Sequence, residues 1–168
     1  SLYWIGMIHD YWMHRSDDAF VRSFLPGIRT VLSWFTEKID PHTGLLKNGL
    51  PHWNFTDWAT SWERGIAPES DSSGSAITTL QLAAALDDAA DLMRRYDRPA
   101  EAKEYAAISA GLKKNVYEKC WDASKGLLRD YIGSPTYSQH VNIMGILTDA
   151  IPHKDQRAVF ERIDSDPS

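Results

Sequence analysis

The chain has 168 residues, 43% of them hydrophobic, with a formal net charge of −5 and a pI near 5.6. That length supports one compact domain spanning 1–168 with a sizeable core, and the acidic balance excludes the phosphate-neutralising face of a nucleic-acid binder. Cys120 is the lone cysteine, which rules out an intramolecular disulfide and a multi-cysteine metal site but leaves the compartment open between bacterial cytoplasm, periplasm and secretion. No apolar run reaches the roughly 18 residues needed to span a bilayer, so no membrane partner is expected.

From Leu2 to Arg15 apolar residues recur on most faces, the pattern of a helix packed on several sides. His9, Asp10 and His14 follow at helical spacing where a signal peptide would carry a small-residue cleavage site. Ser16-Asp17-Asp18 then supplies an N-cap signal for a helix from Asp18 to Ile39. Pro26-Gly27 inside it predicts a kink or a split, and Asp40-Pro41 ends it. Helix resumes from Ser75 to Tyr96, where Ala76, Leu80, Ala83, Ala84 and Leu86 make a small-residue face suited to close contact. Asp97-Arg98-Pro99 is a turn, and a further helix runs from Ala100 to Tyr117. Cys120 to Tyr131, with Lys125-Gly126 between short extended runs, reads as a small hairpin. The last two helices, Tyr137 to Ala150 and Lys154 to Ile163, are separated by Ile151-Pro152-His153, and the stretch Glu161 to Ser168 stops just as a helix gives way to a turn. Both termini read as cuts through a longer chain. Six helices in three antiparallel pairs make an all-α fold: about half of a six-hairpin α/α toroid, with one small β-hairpin, rather than a four-helix bundle.

The stretch from Asp40 to Gly74 is far longer than the usual helix connection of roughly 2–8 residues, and long loops on rigid scaffolds are where function concentrates. Trp53, Trp58 and Trp62, three of the 7 tryptophans, lie here with Asp57, Glu63, Glu69 and Asp71 interleaved. A flat apolar ring beside a fixed carboxylate suits a pyranose, whose axial C–H groups stack while its hydroxyls donate to the oxygens. The loop therefore reads as a sugar subsite. Glycoside hydrolysis needs two carboxyl groups flanking the scissile bond, one protonated at rest and one ionised. By spacing alone, Asp57, Glu63 and Glu69 are candidates for that pair, although clustered carboxylates are common on any polar loop.

Other signals are weaker. Asp87-Asp88-Ala89-Ala90-Asp91 has the look of a magnesium-holding aspartate cluster, but Asp91 stands three before Arg94 and four before Arg95, the order of helix ion pairs on a solvated face. No second acidic motif accompanies it, and the histidines show no metal-ligand spacing, so no metal is expected. His140 opens a helix after Tyr137-Ser138-Gln139, where a capping or core role outweighs membership of the Trp loop's site. There is no Gly-rich phosphate loop and no nucleophile elbow.

Ser1-Leu2-Tyr3-Trp4-Ile5 leading to His9-Asp10-Tyr11, Phe55-Thr56-Asp57-Trp58 after a Pro-Gly-rich loop, and Tyr137-Ser138-Gln139-His140 after a hairpin resemble the barrel of bacterial α-L-rhamnosidases, glycoside hydrolase family 78. The similarity runs through nearly all of the chain as an order of segments. It implies an inverting hydrolase built as a six-hairpin toroid, releasing terminal α-L-rhamnose, with no cofactor in most members. It further implies that Asp57 contacts rhamnose hydroxyls and that Trp53, Trp58 and Trp62 wall the sugar pocket. The family's general acid lies in an Asp-x-Pro-x-Arg-x-Glu segment followed by Gly-Trp, which this sequence lacks, and its general base lies in a later segment. The resemblance thus places both catalytic groups outside the chain and argues against Glu63 and Glu69, which remain the fallback pair. The expected partners are a rhamnoside substrate and the remainder of the parent barrel. A half toroid exposes apolar seams, so self-association is a further expectation. Two other readings stand beside this one: another sugar-acting helical toroid, such as a trehalase-like or glucoamylase-like hydrolase or a glycan lyase, and a non-catalytic helical module whose Trp loop binds a glycan or a protein.

Overall fold

The computed structural model describes residues 1–165; the end of the stretch Glu161 to Ser168, where a turn is expected, lies outside them. Six α-helices run in chain order among the described residues: α1 (Leu2–His14), α2 (Asp18–Thr36), α3 (Ala76–Arg95), α4 (Pro99–Cys120), α5 (Gln139–Leu147) and α6 (His153–Ser165). Strands β1 (Trp121–Asp122) and β2 (Leu127–Leu128) pair antiparallel, Trp121 opposite Leu128. The long connection between α2 and α3 carries a 3-10 turn at Glu63–Gly65 and isolated bridges Ile39–Leu46, Phe55–Ile66 and Ser70–Ser73. The helices follow one another as three hairpins with the small sheet between the second and third, the all-α arrangement expected from the sequence.

Contacts divide the chain into two compact units. One combines Ser1–Glu37 with Gln81–Gly111, and the other combines Lys38–Leu80 with the chain from Leu112 onward.

In the first unit α2 starts where its capping chemistry says it must. The Asp17 carboxylate accepts the Phe20 amide at 3.0 Å, satisfying one of the orphan donors of the first turn. Pro26 neither splits nor ends the helix, which continues for 19 residues. A proline forfeits one backbone bond, and the apolar stripe of Val21, Leu25, Ile28 and Leu32, all buried, holds the helix through it. Ile5 and Ile8 of α1 and Leu82, Leu86, Met93 and Ala102 are buried in the same unit. The small-residue face of α3 admits α4 closely enough for the Ser109 hydroxyl to donate to the Ala83 carbonyl at 3.0 Å. Polar ties finish the unit. Arg29 forks onto Glu101, and Asp18 receives Arg95 at 2.9 Å and the Tyr96 hydroxyl at 3.0 Å.

The second unit has a contiguous core of Leu45, Ile77, Leu80, Val116, Cys120, Leu128, Val141, Ile151 and Val159. Helix α2 stops at Thr36, short of Ile39, because Asp40 builds a competing turn. Its Oδ1 accepts the amides of His42 (2.7 Å) and Thr43 (2.9 Å), and Ile39 turns extended to bridge Leu46. The base of the long loop is closed by Lys47 N–H to the Lys38 carbonyl (2.9 Å) and by Leu46 N–H to the Thr79 hydroxyl (3.1 Å). Gly74 completes the closure: a Cβ there would stand 1.7 Å from the Leu46 carbonyl oxygen. Helix α4 runs on to Cys120, directly into β1, and α5 begins at Gln139 because Ser138 caps it, accepting the Val141 amide at 3.3 Å.

Candidate functional site

The residues singled out in the loop all belong to the second unit. Phe55 to Ile66 fold back on themselves through the Phe55–Ile66 bridge and the Gly65 carbonyl, which accepts the amides of Thr56 (2.8 Å) and Asp57 (3.2 Å). Only glycine serves at position 65: its φ is +70°, and a Cβ would sit 2.6 Å from the Phe55 ring. Arg64 beside it also has positive φ, 54°, and its carbonyl accepts the Trp53 indole N–H at 2.9 Å. This reversal sets the tryptophans in place.

Trp53, Phe55 and Trp58 form an open cluster of rings, with centroids 5.1 to 6.1 Å apart and tilted faces. They are 56%, 39% and 72% exposed. Three large rings held together yet turned to solvent are unusual for a monomer surface and are characteristic of a binding platform. Phe55 was not among the residues picked from the sequence; its place between Trp53 and Trp58 in the same loop was the available signal.

Asp57 lies within the same turn. Its Oδ1 accepts the Trp58 amide at 2.8 Å and its Oδ2 lies 2.8 Å from His140 Nε2. The His140 hydrogen bond and then the Trp58 amide hold the Asp57 carboxyl below the usual carboxylate range. The other face of the arrangement is Trp62, which turns away from the ring cluster, packs on the core and lies against the His140 imidazole at 4.6 Å between centroids. His140 is thus neither cap nor core. Ser138 does the capping, and the imidazole, about one-third exposed, joins the Trp loop.

The start of α5 is held rigidly, which fixes His140. Buried Asp130 accepts the Ser138 amide and hydroxyl. Asn142, one turn along α5, accepts the Leu128 amide at 2.8 Å and donates to the carbonyls of Leu128 (3.2 Å) and Ser138 (2.9 Å). The hairpin and the helix end therefore move as one piece.

The other carboxylates stay apart from Asp57. Glu63 is exposed on the 3-10 turn, Glu69 accepts the Gly49 amide at 3.3 Å, and Asp71 is exposed. In the first unit the Asp87–Asp91 run is only partly a solvated face. Asp91 pairs with Arg94 as its spacing suggests, but Arg95 goes to Asp18 instead. Asp88 turns toward His9 at 3.7 Å, and burial pushes its carboxyl up. Among the described residues no three His, Cys, Asp or Glu side chains gather as a metal site, and no helix is long and apolar enough to cross a membrane.

Solved structures share this fold, two rhamnosidases among them. A glycoside hydrolase family 78 rhamnosidase of Bacillus sp. GL1 superposes with a TM-score of 0.84 at 23% identity, covering 99% of this chain and 17% of that protein. A rhamnosidase from Klebsiella oxytoca, solved with rhamnose bound, gives 0.80 at 20% identity over 99% of this chain and 30% of that protein. The chain spans less than a third of the length of either. Among curated proteins none matches. The model of the bacterial alpha-L-rhamnosidase six-hairpin glycosidase domain matches residues 2–165, and with the helical hairpins and the intervening β-hairpin in place, this chain belongs to that family.

Proposed function

We propose that this chain is part of the catalytic barrel of an inverting α-L-rhamnosidase, and that it contributes the sugar-holding wall rather than the catalytic acid and base. The observation that carries the reading is an ionised carboxylate, Asp57, fixed by two hydrogen bonds inside a loop whose Trp53, Phe55 and Trp58 rings are held together but exposed. Each Asp57 oxygen has a further lone pair for a sugar hydroxyl, and the rings offer apolar faces for the sugar's C–H groups. Trp62 backs the site through His140. Family membership and the rhamnose bound in the Klebsiella oxytoca relative support rhamnose as the sugar. Glu63 stands exposed on the 3-10 turn, apart from the ring cluster's carboxylate, and Glu69 is committed to a backbone amide. The general acid and base are accordingly assigned outside this chain, and no cofactor is required.

The test is a titration of the purified chain with L-rhamnose, read by tryptophan fluorescence and compared with D-glucose. A saturable change selective for rhamnose is expected, weakened about tenfold or more by Asp57→Ala. The melting temperature of Asp57→Ala should stay within about 2 °C of the parent, and Asp91→Ala should bind as the parent does. The same chain should not hydrolyse p-nitrophenyl α-L-rhamnoside. Turnover abolished by Glu63→Gln or Glu69→Gln would place the catalytic pair here and overturn the assignment.

A further inference from the structure

His140 has more to do than steady Asp57. Its Nε2 faces a carboxylate that can only accept, so the ring proton sits on Nε2 and is donated to Asp57 Oδ2 at 2.8 Å. One face of the ring is covered by Trp62. The helix end that carries the ring is tied by Ser138, Asp130 and Asn142, so the backbone beneath the imidazole is fixed, and the ring itself is held by Asp57 and Trp62. Nδ1 has no hydrogen-bond partner among the described residues, and the side chain is 33% exposed. With Nε2–H directed at Asp57, Nδ1 is the ring nitrogen left facing outward, and in the Nε2–H tautomer it carries a lone pair.

We infer that His140 is itself a sugar-binding residue: with Nε2–H given to Asp57 and its ring held against Trp62, Nδ1 accepts the proton of a sugar hydroxyl other than the one taken by Asp57. The inference rests on the proposed sugar site. It adds a hydrogen-bond acceptor supplied by a different element, so that the loop and the start of α5 grip the ligand from two directions. It also specifies the ligand class. Two acceptors, one of them a carboxylate, select a neutral hydroxyl-bearing sugar and disfavour a uronic acid, whose carboxylate would be repelled by Asp57.

The experiment follows the His140 ring nitrogens by long-range proton–nitrogen correlation NMR in the full chain, the signals being assigned by their loss in His140→Gln. The free chain should show the Nε2–H tautomer near pH 7, and saturating L-rhamnose should shift the Nδ1 resonance. His140→Gln keeps an N–H for Asp57 but lacks an acceptor at the Nδ1 position, and should weaken rhamnose about threefold to tenfold with its melting temperature nearly unchanged. An Nδ1–H tautomer, an Nδ1 signal indifferent to rhamnose, or parental affinity in His140→Gln overturns this role. If Asp57→Ala still weakens binding in that case, the sugar site itself stands. If the parent chain binds no rhamnose, both the site and this role fall.

Discussion

Replacing Asn142 with leucine probes the joint on which the site depends. The change keeps side-chain volume similar but removes one acceptor and two donor contacts: Leu128 loses partners for both its amide and its carbonyl, and the Ser138 carbonyl loses a third. Asn142 and Leu128 are fully buried, so water does not readily replace the lost bonds. At about 1–2 kcal/mol for each buried contact left unmet, the gross cost is roughly 3–6 kcal/mol. About 2 kcal/mol of that is offset by burying the leucine side chain. The net, about 1–4 kcal/mol, corresponds to a fall in melting temperature of roughly 3–15 °C for a chain of this size. Asn142→Asp should be worse, since it keeps an acceptor for Leu128 N–H but points a second oxygen at two carbonyls. Thermal unfolding followed by circular dichroism at pH 7 measures both. A leucine variant melting within about 2 °C of the parent, or an aspartate variant more stable than the leucine one, would refute the reasoning that this side chain joins the hairpin to α5.

Gly65→Ala should collapse the ring cluster, because its Cβ meets the Phe55 ring at 2.6 Å and the backbone sits at φ +70°; near-UV circular dichroism should lose aromatic signal at a stability cost of only about 1–2 kcal/mol, and an unchanged spectrum would contradict this. The Cys120 thiol, pushed up to about 12 by burial, should resist a thiol-specific disulfide reagent at pH 8 until the chain is unfolded in denaturant; rapid labelling of the folded chain would contradict its burial. The Ser124 and Tyr137 hydroxyls hold the Asp122 carboxyl well below its ordinary value. A carboxyl depressed in the folded state stabilises fully above its unfolded value near about 4 and loses that contribution as pH falls through the folded one. Melting temperatures measured from pH 7 down to pH 2 should therefore decline less steeply in Asp122→Asn than in the parent, and parallel curves would count against the linkage.

The helices were legible because apolar periodicity and capping chemistry agreed. Asp17 starts α2, and the Lys125-Gly126 turn, with Gly126 at φ +64°, forms the small hairpin. Boundaries were misjudged where a local side chain outcompeted the pattern. Ile39 continues the apolar stripe of α2, yet Asp40 recruits the following amides and pulls it into an extended bridge. Pro26-Gly27 predicts a kink or a split because propensity speaks only for the backbone; the split does not occur, since the buried stripe on both sides of Pro26 carries one continuous helix through it. The Trp loop was visible from its length and composition. The place of His140 was not, because its partner Asp57 is 83 positions away and nothing at i±3 or i±4 reports such a pairing. The same blindness explains Arg95, which passes over the nearby Asp91 for Asp18, 77 positions away.

The closed base of the loop has a consequence for how such a site diversifies. Because Gly74 is pressed onto Leu46 and Lys47 is tied to Lys38, the strand entering the excursion and the strand leaving it are joined before any of the aromatic residues is reached. The scaffold registers the two feet, and what stands on them returns to it through Trp62 and Ala67, which pack on the core, and Asp57, which meets His140. For a flexible segment with anchored ends, doubling the length costs only about 0.6 kcal/mol. Descendants of this chain can therefore vary the exposed stretch around Trp53 to Trp58 and acquire a new ligand preference, while Trp62, Ala67 and the helical framework they pack on are inherited intact.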